Sequence, residues 1–184
     1  MAASRIIVLN GNSSAGKTSI ARAMQAITTE PFLHVPIDAF LDMMPPSMFE
    51  KPGGLVFEAQ RDAGKPICTI TVGDVAGRAL NAVRHAMAAL ADAGNNLIID
   101  DAMMDNDAAD YAKVLSAHCV SWVGVHAPLE ILEERERRRG DRDIGLARWL
   151  FDRVHQGVRY DLEVDTSEAS PAACAARIKQ AFGL

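Results

Sequence analysis

Gly11, Gly16, Lys17 and Thr18 stand at the spacing of a phosphate cradle. They belong to the run Gly11-Asn12-Ser13-Ser14-Ala15-Gly16-Lys17-Thr18, which follows the apolar Ile6-Ile7-Val8-Leu9 and precedes a helical pattern over Ser19–Ile27. A strand, then GxxxxGK[ST], then a helix is the P-loop in the setting that gives the motif its meaning. The two glycines let the backbone turn tightly and approach a ligand closely. Successive N–H groups then point inward as an anion nest, and the helix N-terminus adds its positive end. Lys17 brings a cation to the β- and γ-phosphates, and Thr18 brings a hydroxyl to Mg²⁺. The run Gly11–Thr18 is therefore expected to bind ATP with Mg²⁺.

Phosphoryl transfer also needs a group that orients or deprotonates the acceptor. Asp38 closes the short apolar run Phe32-Leu33-His34-Val35-Pro36-Ile37, and Asp100 and Asp101 close Asn96-Leu97-Ile98-Ile99. In a parallel sheet ligands gather at the carboxyl ends of the strands, so all three acids should crowd the rim that carries the P-loop. Asp38 is the expected base, at the end of a second strand placed beside the P-loop strand; the competing role is an N-cap for residues 39–44. Asp100 follows its strand as a Walker-B acid does and is expected to hold Mg²⁺ with Thr18, while Asp101 assists it or faces the acceptor. Capping is the alternative for that pair as well.

Arginines are concentrated in Glu130–Arg142. Glu133 and Glu134 precede Arg137 and Arg138 by four, the pattern of a solvated helix. Arg135, Arg139 and Arg142 share one helical face around Gly140, which suits a lid whose guanidinium groups meet charge on the phosphoryl oxygens. Arg139 and Arg142 are thus expected catalytic residues together with Lys17 and Asp38. Methionines at 43, 44, 48, 103 and 104 could fill the core or line an adaptable apolar pocket, and Met43, Met44 and Met103 are placed at the acceptor.

The elements that must position these residues follow from hydropathy. Apolar runs at 6–9, 32–37, 96–99, 120–125 and 160–164 alternate with amphipathic helices, the clearest carrying Leu80, Val83, Met87 and Leu90 on one face. Ser170 and Pro171 mark the N-cap and first turn of a final helix over 172–182. Alternating apolar strands and helices predict an α/β fold with a parallel sheet covered on both faces. Residues 41–71, rich in Pro, Gly and Met, read as an irregular, loop-rich segment, either functional or disordered.

A chain of 184 residues fits one domain over 1–184, with 39–75 as the acceptor-pocket segment and 130–146 as the lid. No apolar run approaches the ~20 residues of a spanning helix, and the segment after Arg5 is too short for a signal-peptide core. A net charge of −5 argues against nucleic acid as a partner. Cys68, Cys119 and Cys174 show no metal or CxxC spacing and are expected to be reduced core thiols in a cytoplasmic protein. His34, His85, His118, His126 and His155 likewise show no metal spacing and are expected to be structural or exposed.

These motifs together resemble the chloramphenicol phosphotransferase family, P-loop kinases that phosphorylate a hydroxyl of an antibiotic. The matching pieces are Ile7–Gly11 leading into Ser13–Lys17, then Asp38, Ile98–Asp101 and Trp122–Val125. Arg135-Glu136, Arg139-Gly140-Asp141-Arg142, Val154–Val158, Tyr160-Asp161 and Glu163–Thr166 complete the set. The resemblance implies an adenylate-kinase-like fold with a five-stranded parallel sheet. It also implies Asp38 as the base, lid arginines on the phosphates, Arg135 near the adenine and triphosphate, and Asp165-Thr166 near the adenine. The match is weak over 39–75, so a kinase of another hydroxylated metabolite or sugar nucleotide stays open, as does a nucleotide-dependent switch or toxin-like module. A shikimate-type enzyme is disfavoured, because Phe40 stands where a second acid is expected.

Overall fold

The computed structural model describes residues 3–140 and 143–184. A five-stranded parallel sheet is built from β1 (Arg5–Gly11), β2 (Phe32–Pro36), β5 (Asn96–Asp101), β6 (Cys119–His126) and β7 (Leu162–Asp165), in the order β2-β5-β1-β6-β7. Side chains alternate along β1: Ile7 and Leu9 pack on one face, Ile6 and Val8 on the other. The first face is covered by α1 (Lys17–Ile27) and α7 (Pro171–Phe182), through Ile20, Met24, Cys174 and Ile178. The second is covered by α3 (Asp74–Asp92) and α4 (Asp107–Val114), through Val83, Met87 and Tyr111. Burial on both faces is what allows the strands to read as continuous apolar runs. α7 begins as the sequence predicts, with Ser170 Oγ accepting from the Ala173 N–H.

Two expectations about the second strand are corrected. β5, not β2, lies beside the P-loop strand, with Ile6–Asn10 in register with Leu97–Asp101. The reason is hydropathy: β5 is buried along nearly its whole length, whereas β2 exposes Leu33 and takes the sheet edge. Asp38 does not close β2 either. The strand ends at Pro36, and Asp38 sits in the first turn of a short helix, α2 (Ile37–Leu41).

The segment over 41–71 is also more regular than expected. After a 3₁₀ turn at Pro46–Phe49, β3 (Leu55–Asp62) and β4 (Lys65–Val72) form an antiparallel hairpin. Its two-residue turn places Ala63 and Gly64 at φ 47° and 81°, the mirror-image geometry that matches strand twist. The hairpin packs Cys68 against Leu146, Leu150 and Val154, where α6 (Leu146–Phe151) follows α5 (Leu129–Arg139). All three cysteines are free; Cys68 and Cys174 are buried as expected, but Cys119, opening β6, is exposed. No helix among the described residues is long and apolar enough to cross a membrane.

Candidate functional site

The P-loop joins β1 to α1 at the carboxyl edge of the sheet. Gly11 closes β1 against β6, and a Cβ there would come within 2.3 Å of the Val125 carbonyl oxygen, so packing alone requires glycine. Ser14 and Gly16 adopt positive φ, 62° and 91°, between residues that do not, which turns successive N–H groups toward one concavity. Lys17 Nζ donates to the carbonyls of Gly11 at 3.0 Å and Asn12 at 2.9 Å, folding its ammonium over the loop.

Across the loop, β5 presents Asp100. Thr18 Oγ1 donates to Asp100 Oδ2 at 2.6 Å, His34 Nε2 lies 3.3 Å from the same oxygen, and Lys17 Nζ is 3.9 Å from Oδ1. Burial pushes the Asp100 carboxyl up, but the hydrogen bond to His34, the charge of Lys17 and the Thr18 hydroxyl together hold it below the usual carboxylate range.

Asp101 differs although it is the next residue. Its Oδ2 accepts from Tyr111 Oη at 2.8 Å and its Oδ1 from the Ala102 N–H at 2.7 Å. Burial dominates there and pushes its carboxyl up to about 6. Tyr111 in turn lies under the Arg84 guanidinium, 5.3 Å from the ring centroid, and Arg84 pairs with Asp107 and, at 3.4 Å, with Asp110.

Lys17, Thr18, Asp100, Asp101, Arg84 and Asp107 line one cavity of about 760 Å³. Its P-loop end carries Ser13, Ser14, Gly16, Lys17 and Thr18 with Arg135, Arg139 and Thr166, while Asp38, Asp100 and Asp101 stand on its sheet rim. Much of the remaining wall is apolar, with Leu41, Leu55, Phe57, Ile70, Val72, Leu80, Met104, Leu146 and Leu150, and Arg84 and Asp107 are among its polar residues.

Some of the expected residues lie elsewhere. Gly11, Asn12 and Ala15 shape the loop from beneath instead of lining the cavity; Ala15 is in the core, and Asn12 Nδ2 donates to the Ala147 carbonyl at 2.9 Å. Met103 is 1% exposed in the core behind β5, so its expected place at the acceptor is corrected. Met43 is 76% exposed and, like Met44, is absent from the wall, because α2 ends at Leu41 and carries the chain away. Met104 alone of the five methionines lines the cavity. Asp165 also turns away, accepting from the N–H and hydroxyl of Ser167.

Arg135 donates to Thr166 Oγ1 at 2.9 Å and to the Thr166 carbonyl at 2.7 Å, which ties α5 to the turn after β7. Arg138 pairs with Glu134 as the four-residue spacing predicts, yet it also reaches the cavity. Arg142 lies outside the described residues.

Sequence reasoning missed Arg84, Tyr111 and the hairpin wall. The hairpin had a usable signal in Asp62-Ala63-Gly64-Lys65 between β-rich runs. Arg84 had none, since one arginine in an amphipathic helix looks solvated.

The donor set fits Mg²⁺, which favours one or two carboxylates completed by phosphate and water. Thr18 and Asp100 already meet, and the buried Ser14 hydroxyl, of a residue lining the same cavity, has no hydrogen-bond partner among the described residues.

A family model described as chloramphenicol phosphotransferase-like protein matches residues 4–183. The chain belongs to that family. This phosphotransferase is 34% identical over 169 residues to the protein named "Putative O-phosphotransferase" in two strains of Mycobacterium tuberculosis, covering 89% of this chain and 75% of the relative. Solved structures show its fold to be that of P-loop kinases. The Mycobacterium tuberculosis APS kinase CysC, solved with AMPPNP and APS, superposes with a TM-score of 0.69 at 15% identity over all of both chains. A sugar kinase from Janibacter sp. HTCC2649 gives 0.65 at 20% identity over 98% of this chain and 95% of that one. Shikimate kinase from Acinetobacter baumannii gives 0.62 at 14%, over 97% and 92%. Family and fold make the chain an enzyme, a P-loop phosphotransferase.

Proposed function

We propose that the enzyme transfers the γ-phosphate of ATP to a hydroxyl of a small molecule, with chloramphenicol or a similar antibiotic as the first candidate. The observation that carries this reading is a shared cavity: Lys17, Thr18 and Asp100 line it together with Asp38. The phosphate cradle and a carboxylate able to take a proton therefore open on the same space. The apolar wall from the hairpin and α6 suits an acceptor with an apolar body.

In this reading the P-loop N–H groups and Lys17 hold the triphosphate, and Thr18 with Asp100 holds Mg²⁺. When bound, that ion neutralises charge on the phosphate oxygens. Asp38 accepts the proton of the acceptor hydroxyl as its oxygen bonds to the γ-phosphorus. The bond from that phosphorus to the bridging oxygen breaks, and ADP leaves. Arg139, on the cavity wall, stabilises charge on the transferring group. Arg135 and Thr166 border the nucleotide; segment 39–75 forms the acceptor wall and 130–146 the cover that keeps water from competing.

A hydroxylated metabolite is the second reading of the acceptor, favoured by the polar patch of Asp101, Arg84 and Asp107 within the apolar wall. An ADP-release screen separates the two, with chloramphenicol tested first and sugars and other alcohols after it. Stimulation by chloramphenicol supports the antibiotic reading. Stimulation by another alcohol alone discards it and keeps the kinase, and no stimulation by any alcohol overturns the reading.

A further inference from the structure

Glu136 is an acid in the wrong place for a surface helix. It follows Arg135 on α5, in a segment that is otherwise strongly polar, yet it is only 1% exposed. A buried carboxylate is costly unless its oxygens are satisfied. Both are: Oε2 accepts the Gly145 N–H at 2.8 Å, and Oε1 accepts the Ala147 N–H at 2.7 Å. Glu136 thus holds the first backbone N–H groups of α6 from a neighbouring helix.

Three further contacts make this joint more than a cap. The Ala147 carbonyl accepts Asn12 Nδ2 of the P-loop, and the Asn12 carbonyl in turn receives Lys17 Nζ. Ala147 is therefore held at its N–H by α5 and at its carbonyl by the phosphate cradle. Gly145, at φ +100°, lies flat on the hairpin, where a Cβ would come within 2.6 Å of Ile67 Cα. Leu146 and Leu150 of the same helix pack on Cys68 of β4 and line the cavity. Burial foremost, then the charges of Asp143 and Glu136, push the Cys68 thiol up to about 11.

We propose that Glu136 is a positioning residue that joins the nucleotide half of the site to the acceptor wall, by locking the start of α6 between the P-loop and the β3–β4 hairpin. Ordering of the P-loop and Arg135 by a nucleotide is then transmitted through Ala147 and Gly145 to β4. This inference rests on the nucleotide-binding reading above, but not on the identity of the acceptor. The lock has polar contacts to α5 and the P-loop and apolar packing on the hairpin, a contiguous set of contacts of the kind that carries coupling between two sites.

The experiment is amide hydrogen exchange with and without Mg²⁺ and AMPPNP, on the wild-type chain, Glu136→Ala, Glu136→Gln and Ser170→Ala. Ser170→Ala removes the cap of α7, a helix that none of the contacts of the joint involves, and controls for a general loss of stability. AMPPNP is expected to slow exchange of the β4 amides, Lys65–Val72, by about fivefold or more in the wild type and in Ser170→Ala. Glu136→Ala should lose that protection while its AMPPNP affinity stays within about threefold, because the hydrogen bonds of Glu136 among the described residues go to Gly145 and Ala147 and not to the cradle. Glu136→Gln keeps one carbonyl acceptor and should retain part of the protection, which keeps the test open if the alanine variant does not fold. Equal β4 protection in the wild type and Glu136→Gln overturns the proposal. So does a wild type that binds AMPPNP without protecting β4. A wild type that binds no AMPPNP at all removes the nucleotide reading itself, and this inference with it.

Discussion

The hydroxyl of Thr18 and the carboxylate of Asp100 meet at 2.6 Å, joining the first turn of α1 to the end of β5. Eighty-two positions separate the two residues. The contact exists because β5 inserts between β2 and β1, which places the last residues of its apolar run beside the P-loop. In the proposed reading this hydroxyl and carboxylate would hold Mg²⁺ beside the phosphate cradle. Thr18→Ala and Asp100→Asn should each raise the Mg²⁺ concentration needed for half-maximal activity by about tenfold or more. Titration of activity against Mg²⁺ checks this, and chelation by EDTA should abolish turnover in the wild type. An unchanged Mg²⁺ requirement in both variants would remove the pair from that role.

Asp38 and Lys17 line the same cavity and should separate kinetically. Asp38→Ala is expected to lower kcat by about 10²–10⁴-fold, the usual contribution of a positioned base, with ATP affinity nearly unchanged. Lys17→Ala should lower phosphoryl transfer by about a hundredfold or more. Steady-state kinetics with calorimetric ATP binding on the same samples distinguishes the two. Near-normal turnover in Asp38→Ala would mean that another group takes the proton.

Asp101 should write itself into the pH dependence of stability. Its folded-state value, about 6, lies above the ordinary carboxylate value of 3.8 because burial disfavours the charged form. The folded state therefore holds this proton more tightly than the unfolded chain. Its contribution is complete below about pH 4 and is lost as the pH rises through about 6, a change on the order of 2–3 kcal/mol. Asp101→Asn keeps an acceptor for Tyr111 without the titration. Urea unfolding at pH 4, 5, 6 and 7 should show the wild type losing stability relative to the variant across this window. Parallel curves would place the titration elsewhere.

Arg84 is expected to be costly to remove. Its side chain is buried against Tyr111 and pairs with Asp107 and Asp110, so Arg84→Met leaves two carboxylates facing each other without their cation. Because both acids are partly hydrated, the expected loss is about 2 kcal/mol, less than for a fully buried pair. Chemical denaturation measures it, and Arg84→Met with Asp107→Asn should recover part of the loss. No recovery would mean that packing on Tyr111, not charge, is what Arg84 provides.

Gly11→Ala tests the packing of the loop. The added methyl would sit 2.3 Å from a backbone oxygen of β6, which cannot yield as a side chain can. Overpacking of this kind costs about 1–3 kcal/mol. Thermal unfolding should show the loss, and it should accompany weaker nucleotide binding, since the same strand end sets the mouth of the cradle.

What could be read from the residues alone was whatever local pattern decides. The P-loop, the apolar strands and the Ser170-Pro171 start of α7 are short-range signals, and the structure contains each of them. Asp100 and Asp101 were legible as acids at a strand end, and they line one cavity with Asp38, which the structure puts in the first turn of α2 instead. Periodicity could not say which strand lies beside which: the place of β5 between β2 and β1 follows from competition among strands for the doubly buried centre. Nor could it separate Met103, packed behind β5, from Met104, the next residue, which faces the cavity. Adjacent residues of one type differ there only by the direction in which the backbone turns them. The hairpin wall and the burial of Arg84 on Tyr111 join segments distant in sequence, and the grip of Glu136 on α6 depends on how two successive helices pack. Such contacts depend on the summed packing of the whole chain, and that sum is what the tertiary structure decided.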